Sequence, residues 1–289
     1  MNITTLILGC GDVGTRVGKA LIERGHRVIG GRRSAQALEG TGIEPLALDI
    51  NDSSALSNLP DADIVLYILS ADRFEESAYE AAYHDGLDHV LSEFEARKHT
   101  PKHVFFASST SVYGQSEGET VNEDSPIEPT GFAGKWLHRA EQRLQTSPLP
   151  GTTVRFSGIY GPGRERLINQ VREGRIAPKS PAMYSNRIHR DDCAGVLTFL
   201  IEKTLEGETL EPVYLASDKE AAPIHDVMLW LGKAMGVESH DIIQSPLRRR
   251  ASKRCDSALL QTTGYEFIYP TFREGYREVL KAAGLPCTQ

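Results

Sequence analysis

Thr4-Thr5-Leu6-Ile7-Leu8-Gly9-Cys10-Gly11-Asp12-Val13-Gly14 opens the chain, and a helical pattern over Gly14–Arg24 follows it. The run Ile3–Leu8 is continuously apolar rather than alternating, as expected of a strand buried on both faces. In Gly14–Arg24, Val17, Ala20 and Leu21 fall at helical spacing and Gly25 supplies a stop. Between strand and helix lies G-x-G-x-x-G. The letters alone are a weak signal; a strand before them and a helix after them supply the context their chemistry needs. Gly9 then permits a tight turn, and Gly11 lets the backbone approach a pyrophosphate. Gly14 lets helix and strand pack closely, while Asp12 and Val13 place the helix N-terminus toward the negative charge.

Eighteen residues beyond Gly14, the second strand ends in Gly30-Gly31-Arg32-Arg33. A carboxylate here would hold the ribose 2′-hydroxyl of NAD, whereas the planar fork of an arginine suits a 2′-phosphate. Arg32 and Arg33 therefore point to NADP(H) over NAD(H); the alternative is a solvated pair at a loop start. Further buried runs at Arg27–Gly30, Pro45–Leu48, Asp63–Leu69, His103–Ala107 and Thr153–Phe156 alternate with helical patterns. That order specifies an α/β protein with a Rossmann-type doubly wound parallel sheet. Later come a helix over Asp191–Lys203, a short strand at Val213–Ala216, a helix over Ile224–Met235, the basic stretch Leu247–Arg254 and a turn-rich tail through Tyr269-Pro270. These suggest a smaller C-terminal substrate lobe. The expected division is 1–165 plus 187–217 for the dinucleotide-binding domain, and 166–186 plus 218–289 for the lobe.

The 289 residues carry a formal net charge of −7, with 40% hydrophobic and 25% charged residues. That suits a globular chain and argues against nucleic acid, whose binders usually show a basic surface. No apolar stretch reaches the roughly 18 residues of a membrane span. Only Met1 and Asn2 precede the first strand, which leaves no room for a signal peptide, so a cytoplasmic protein is expected. Cys10, Cys193, Cys255 and Cys287 are scattered and read as free thiols. His99 and His103 are four apart but Pro101 intervenes, so no metal site is expected.

With these residues in view, the chain resembles the extended short-chain dehydrogenase/reductases, the nucleoside-diphosphate-sugar epimerases and dehydratases. Leu48-Asp49-Ile50 looks like the family's third-strand end, where Asp49 and Ile50 would frame the adenine. Leu69-Ser70-Ala71 falls where the fourth strand lies beside the cofactor. Phe106–Gly114 is similar to the serine-rich end of strand five, with Ser109 in the position that hydrogen-bonds a substrate oxygen and Tyr113 near it. Arg155–Gly163 matches R-x-x-x-x-Y-G-P-G and includes Ile159, implied to contact the cofactor. Asn186–Asp192 looks like the substrate-lobe I-H-x-x-D segment, which makes Asn186 and Arg187 substrate residues, and Tyr214–Asp218 looks like the final strand. Arg248, Arg249 and Arg250, with Lys253 and Arg254, would receive the phosphates of an anionic substrate or form a solvated face; the two stand even. The resemblance implies a small-molecule substrate, a nucleotide sugar among the candidates, and is compatible with a homodimer.

One departure matters. The family's Tyr-x-x-x-Lys pair, preceded by Pro129 and followed by Glu141, is replaced by Ala133 and Leu137. Neither side chain exchanges a proton. Lys135 lies about 200° around the helix from Leu137, and His138 about 100°. Tyr83 occupies the place of the family's helix asparagine. The pattern resembles an atypical subgroup that keeps the cofactor site and lacks the usual pair. Ser109, the intact loop and the lobe favour an oxidoreductase or epimerase on a hydroxylated substrate; the vacant pair favours a non-catalytic NAD(P) sensor or scaffold. Tyr113 and Tyr160 read more naturally as packing residues.

Overall fold

The computed structural model describes residues 3–243 and 252–288. The run Arg248–Arg250 lies outside the described residues.

Seven strands form the main sheet: β1 (Thr4–Leu8), β2 (Arg27–Arg32), β3 (Glu44–Ala47), β4 (Ile64–Tyr67), β5 (His103–Ser109), β6 (Gly151–Phe156) and β7 (Val213–Ala216). Their order is β7-β6-β5-β4-β1-β2-β3, and the pairs β1–β2, β1–β4, β2–β3 and β4–β5 are parallel. Leu6, Ile7 and Leu8 of β1 and all four residues of β4 are fully buried, as central strands covered on both faces must be. β3 differs from the expected buried run: it is an edge strand with Glu44, Pro45 and Ala47 exposed. β4 stops at Tyr67, two residues short of the apolar run, and β2 continues to Arg32.

The helix α1 (Asp12–Glu23) buries Val13, Val17 and Leu21, one stripe at four-residue spacing. Gly25, at φ +84°, reverses the chain after it. The chain turns outward from β1 to β2 and β3 in one direction, and from β4 to β5 in the other. The switch of direction falls between β1 and β4, where an open α/β sheet leaves a crevice at the carboxyl ends of its strands. The register makes those ends level, with Leu8 beside both Gly31 and Tyr67.

After β4 a short helix, Glu76–Tyr79, widens into a π-helical stretch, Glu80–Asp85, before α2 (Gly86–Glu95) resumes regular winding. The buried Tyr67 hydroxyl donates to the Ala82 carbonyl at 2.5 Å, and Gly86 has no side chain because a Cβ would lie 2.4 Å from that hydroxyl. The wide turn thus lets a sheet phenol reach a helix carbonyl. The helix α3 (Phe132–Gln145) buries Trp136, Leu137, Ala140 and Leu144. Gly134 presses this helix so close to the Ser111 carbonyl that a Cβ would come within 2.3 Å of it.

The chain forms two compact units, one of Met1–Val112, Pro129–Arg155 and Ala194–Tyr214, the other of Tyr113–Glu128, Phe156–Cys193 and Leu215–Gln289. Residues 113–128, 156–165, 187–193 and 215–217, which the sequence grouped with the glycine-loop domain, pack in the second unit. That unit has its own apolar core. The helices α4 (Ile224–Met235) and α5 (Phe272–Ala282) bury Val227, Leu231, Phe272, Tyr276 and Leu280 with Ile168 and Val171. Thr271 and Glu274 form a capping box at the start of α5.

Candidate functional site

The three glycines of the loop have three different jobs. Gly9 sits at φ +87°, and a Cβ there would fall 2.7 Å from the Ile68 carbonyl oxygen and the Leu69 backbone. It is glycine because the β1 and β4 loops cross there. Gly14 abuts Ile7, whose Cγ2 would lie 3.1 Å from an added Cβ, which is the helix-to-strand contact expected of it. Gly11 has no such neighbour: an added Cβ would meet nothing nearer than the Gly9 carbonyl at 3.8 Å. Its side-chain position is open, so no packing contact demands glycine.

Gly11 is also the N-cap residue of α1, which has no side-chain cap. The first-turn N–H groups of a helix have no intrahelical partner and favour an anion. Asp12 starts the helix and pairs with Arg16 at 3.2 Å, while Val13 and Gly14 are buried behind the loop.

A cavity of about 420 Å³ opens beside this loop. Gly9, Gly11, Arg32, Arg33, Asp49, Ile50, Leu69 and Ser70 line it, so eight residues singled out in the sequence meet there. Arg32 donates Nη1 to the Cys10 carbonyl at 3.1 Å, tying the end of β2 to the glycine loop. Arg33 is held by Asp72 through two bonds of 2.6 and 2.7 Å. Asp49 Oδ1 accepts from the Asn51 backbone N–H at 3.0 Å. Ala71 stands beside the cavity, its N–H donating to the Tyr83 hydroxyl at 3.4 Å. Burial pushes the Tyr83 phenol up from its ordinary value, so it stays protonated.

Ser34, Asn51, Asp72, Arg73, Ala78, Ala81 and Ala82 also line the cavity and were not singled out in the sequence. Three of them are alanines from the segment around the π-helical turn, where small side chains leave space. Asp72 was hidden because its partner is 39 residues away in the chain.

Ser109 is the last residue of β5, and its Oγ accepts from the Ser111 N–H at 3.2 Å. Its hydroxyl proton remains available to another oxygen. In α3, Leu137 is buried and Lys135 exposed, so Lys135 does face away from the vacant position. Glu141, one turn beyond, is buried and takes Arg155 at 2.7 Å (Nη2 to Oε2) and the Ser108 hydroxyl at 2.5 Å. Burial alone would raise its pKa. The His138, Arg155 and Ser108 contacts outweigh that and leave it below the ordinary glutamate value.

The second unit holds the remaining residues assigned to cofactor or substrate. Tyr113 is buried and donates its hydroxyl to the Asn122 carbonyl at 2.8 Å. Ile159 pairs with Ile188 in a parallel two-stranded ladder. Asn186 donates to the Lys253 carbonyl at 2.9 Å and accepts the Cys255 N–H at 2.8 Å, which fastens the strand Ser252–Cys255. Arg187 is buried against the rings of Phe272 and Tyr276 and donates to Ser185 Oγ. Arg254 donates to the Gly118 carbonyl at 2.8 Å and lies over the Tyr184 ring. None of these five lines the cavity beside the glycine loop.

Comparison with known proteins places this arrangement. The chain is 28% identical to Protein YeeZ of Escherichia coli (strain K12), over 91% of this chain and 95% of that one. It is 35% identical to a solved protein from Methylobacillus flagellatus assigned to the NAD-dependent epimerase/dehydratases, covering 98% and 100% of the two chains with a TM-score of 0.82. The human epimerase family protein SDR39U1, solved with NADPH, shares the fold at 18% identity and a TM-score of 0.77, over 96% and 99% of the chains. The model of the NAD dependent epimerase/dehydratase family matches residues 5–216, and the chain, with its glycine loop and seven-stranded sheet in the same span, belongs to that family.

Proposed function

We propose that this protein binds NADP(H) at the carboxyl ends of β1, β2 and β4 and is an oxidoreductase or epimerase for a hydroxylated small molecule, with a nucleotide sugar as one candidate class. The observation that carries the reading is the open Gly11 position at the uncapped start of α1, beside a cavity edged by Arg32 and Arg33. A pyrophosphate at that helix start would cap it, and an arginine at the end of β2 suits a 2′-phosphate. Asp49 and Ile50 would border the adenine, and Leu69, Ser70 and Ala71 the far end of the cofactor. Ile159, Tyr113, Asn186, Arg187 and Arg254 stand as the wider set for cofactor and substrate. When bound, a nicotinamide cofactor would supply hydride transfer.

The residues of the chain itself would orient substrate and move its proton. Ser109, with its oxygen already accepting the Ser111 N–H, is disposed to donate to a substrate oxygen. It is a weak general base, because no lysine or tyrosine stands at positions 137 and 133 to assist it. That same vacancy favours a second reading, a cofactor-binding sensor without turnover.

Equilibrium titration with NADPH and NADH tests the cofactor assignment. Wild type should bind NADPH about tenfold tighter, the scale of one charge-assisted contact at an exposed site. Arg32→Ala with Arg33→Ala should remove the difference and leave NADH affinity nearly unchanged. A wild type that prefers NADH would refute the assignment.

A further inference from the structure

The cavity beside the glycine loop is lined by a carboxylate, Asp72, that holds one of the two arginines assigned to the cofactor's phosphate. Arg33 follows the end of β2 and grips Asp72 with Nη1 on Oδ2 at 2.7 Å and Nη2 on Oδ1 at 2.6 Å. This two-pronged geometry is how a guanidinium takes any anion with paired oxygens. Both residues line the cavity. Asp72 lies in the segment after β4, and β2 and β4 flank β1 on opposite sides. The ion pair therefore reaches across the carboxyl end of β1, over the strand that leads into the glycine loop.

Resting on the reading that the arginines hold a 2′-phosphate, we infer that Asp72 is an internal competitor for that phosphate and a determinant of cofactor preference. NADPH has to take Arg33 away from Asp72, whereas NADH leaves the pair closed. Of the other charged neighbours, Asp49 also favours the Arg33 cation but only from beyond hydrogen-bond distance, so it does not replace Asp72 in this role. Asp49 Oδ1 accepts from both the backbone and the side chain of Asn51, at 3.0 and 3.2 Å. Arg32 reaches Cys10, and Arg73 lies 3.8 Å from Glu75.

The pair is built to exchange. Its side chains are 60% and 57% exposed, so it belongs with surface salt bridges, which contribute little to stability. A phosphate near neutral pH carries close to two negative charges against the one on Asp72, and three terminal oxygens against two. The bond from Arg33 also keeps the Asp72 carboxyl below its ordinary range, so the competitor remains ionised through neutral pH. Once displaced, the Asp72 carboxylate faces the incoming phosphate and repels it. Removing the charge at position 72 removes both the competition and the repulsion.

The test is equilibrium binding of NADPH, NADH and adenosine 2′,5′-bisphosphate to full-length wild type, Asp72→Asn, Asp72→Ala, Arg33→Ala and the Arg33→Ala/Asp72→Asn double variant. Both Asp72 variants should bind NADPH and the bisphosphate about fivefold tighter than wild type, the upper range for an exposed ion pair. Their NADH affinity should stay within about twofold, and the gain should shrink with added salt as screening sets in. On the Arg33→Ala background, where only the repulsion is left to remove, Asp72→Asn should give a smaller gain. If Arg33→Ala weakens NADPH while neither Asp72 variant tightens it, the competitor role is overturned and the arginine assignment stands. If NADH tightens as much as NADPH, Asp72 is not sensing the 2′-phosphate and the inference is likewise overturned. If replacing Arg33 and Arg32 leaves NADPH binding untouched, the underlying cofactor reading itself falls.

Discussion

The sequence motif assigned Gly9 to a tight turn and Gly11 to an approaching ligand, and the structure separates them by what a methyl group would strike. At Gly9 it would collide with backbone and would sit in the left-handed region. Gly9→Ala should therefore lower stability by roughly 1–3 kcal/mol from backbone strain alone, read as a fall in the urea midpoint. A midpoint unchanged from wild type would show that the β1 and β4 loops separate easily. At Gly11 the added methyl has room, so under the proposed function its requirement for glycine would belong to the ligand. That Arg32 and Arg33 stand at the cavity beside the glycine loop was legible from position. The partner of Arg33 was not, because an ion pair between residues 33 and 72 leaves no local pattern. Asn186 and Arg187 show the opposite limit: their place in a family motif was visible, but their bonds to Lys253, Cys255 and Ser185 depend on packing distant in sequence.

Among the elements, continuous apolar runs located the strands because a parallel sheet covered by helices removes the need for alternation. Val213–Ala216 and Ile224–Met235 were read with the boundaries the structure shows. The π-helical stretch Glu80–Asp85 was not legible, since the contact it makes, the Tyr67 hydroxyl on the Ala82 carbonyl, comes from an element distant in sequence. In α3 the sequence showed that Glu141 keeps its place after the catalytic pair is lost. The structure supplies a physical reason: Glu141 holds the buried Arg155 guanidinium and the Ser108 hydroxyl, whatever happens at position 137. Glu141→Ala should cost about 3–5 kcal/mol by removing the carboxylate to which a buried guanidinium is bonded. The glutamate is depressed in the folded state, so its contribution is present above the unfolded glutamate value, about 4.3, and disappears as pH falls through the lower folded value. Stability measured by urea unfolding from pH 7 down to pH 3 should fall less steeply in Glu141→Gln than in wild type. Parallel slopes would mean that Glu141 does not govern the acid response.

For the molecule as a whole, family membership and sheet topology follow from the first 216 residues, while beyond them the helix Ile224–Met235 was legible in the sequence and the short strand pairs, the helix Phe272–Ala282 and its capping box were not. The chain has the glycine loop and the sheet order, and Ala133 and Leu137 stand where the resemblance places the family's proton-transfer pair. General acid–base help is typically worth 10²–10⁴-fold, so wild type should show weak or no turnover of ordinary nucleotide-sugar epimerase substrates even when NADPH is bound. Vigorous epimerase activity would show that another group has taken over proton transfer, and Ser109→Ala and Tyr113→Phe would then be the substitutions to make first.

The central claim is that the open Gly11 position exists for a dinucleotide. Titrating wild type and Gly11→Ala with NADPH, alongside urea unfolding of both, tests it most directly. The predicted result is a loss of affinity of about tenfold or more, equivalent to roughly 1.4 kcal/mol of binding free energy, with the unfolding midpoint nearly unchanged. Equal NADPH affinity in the two proteins would contradict the claim.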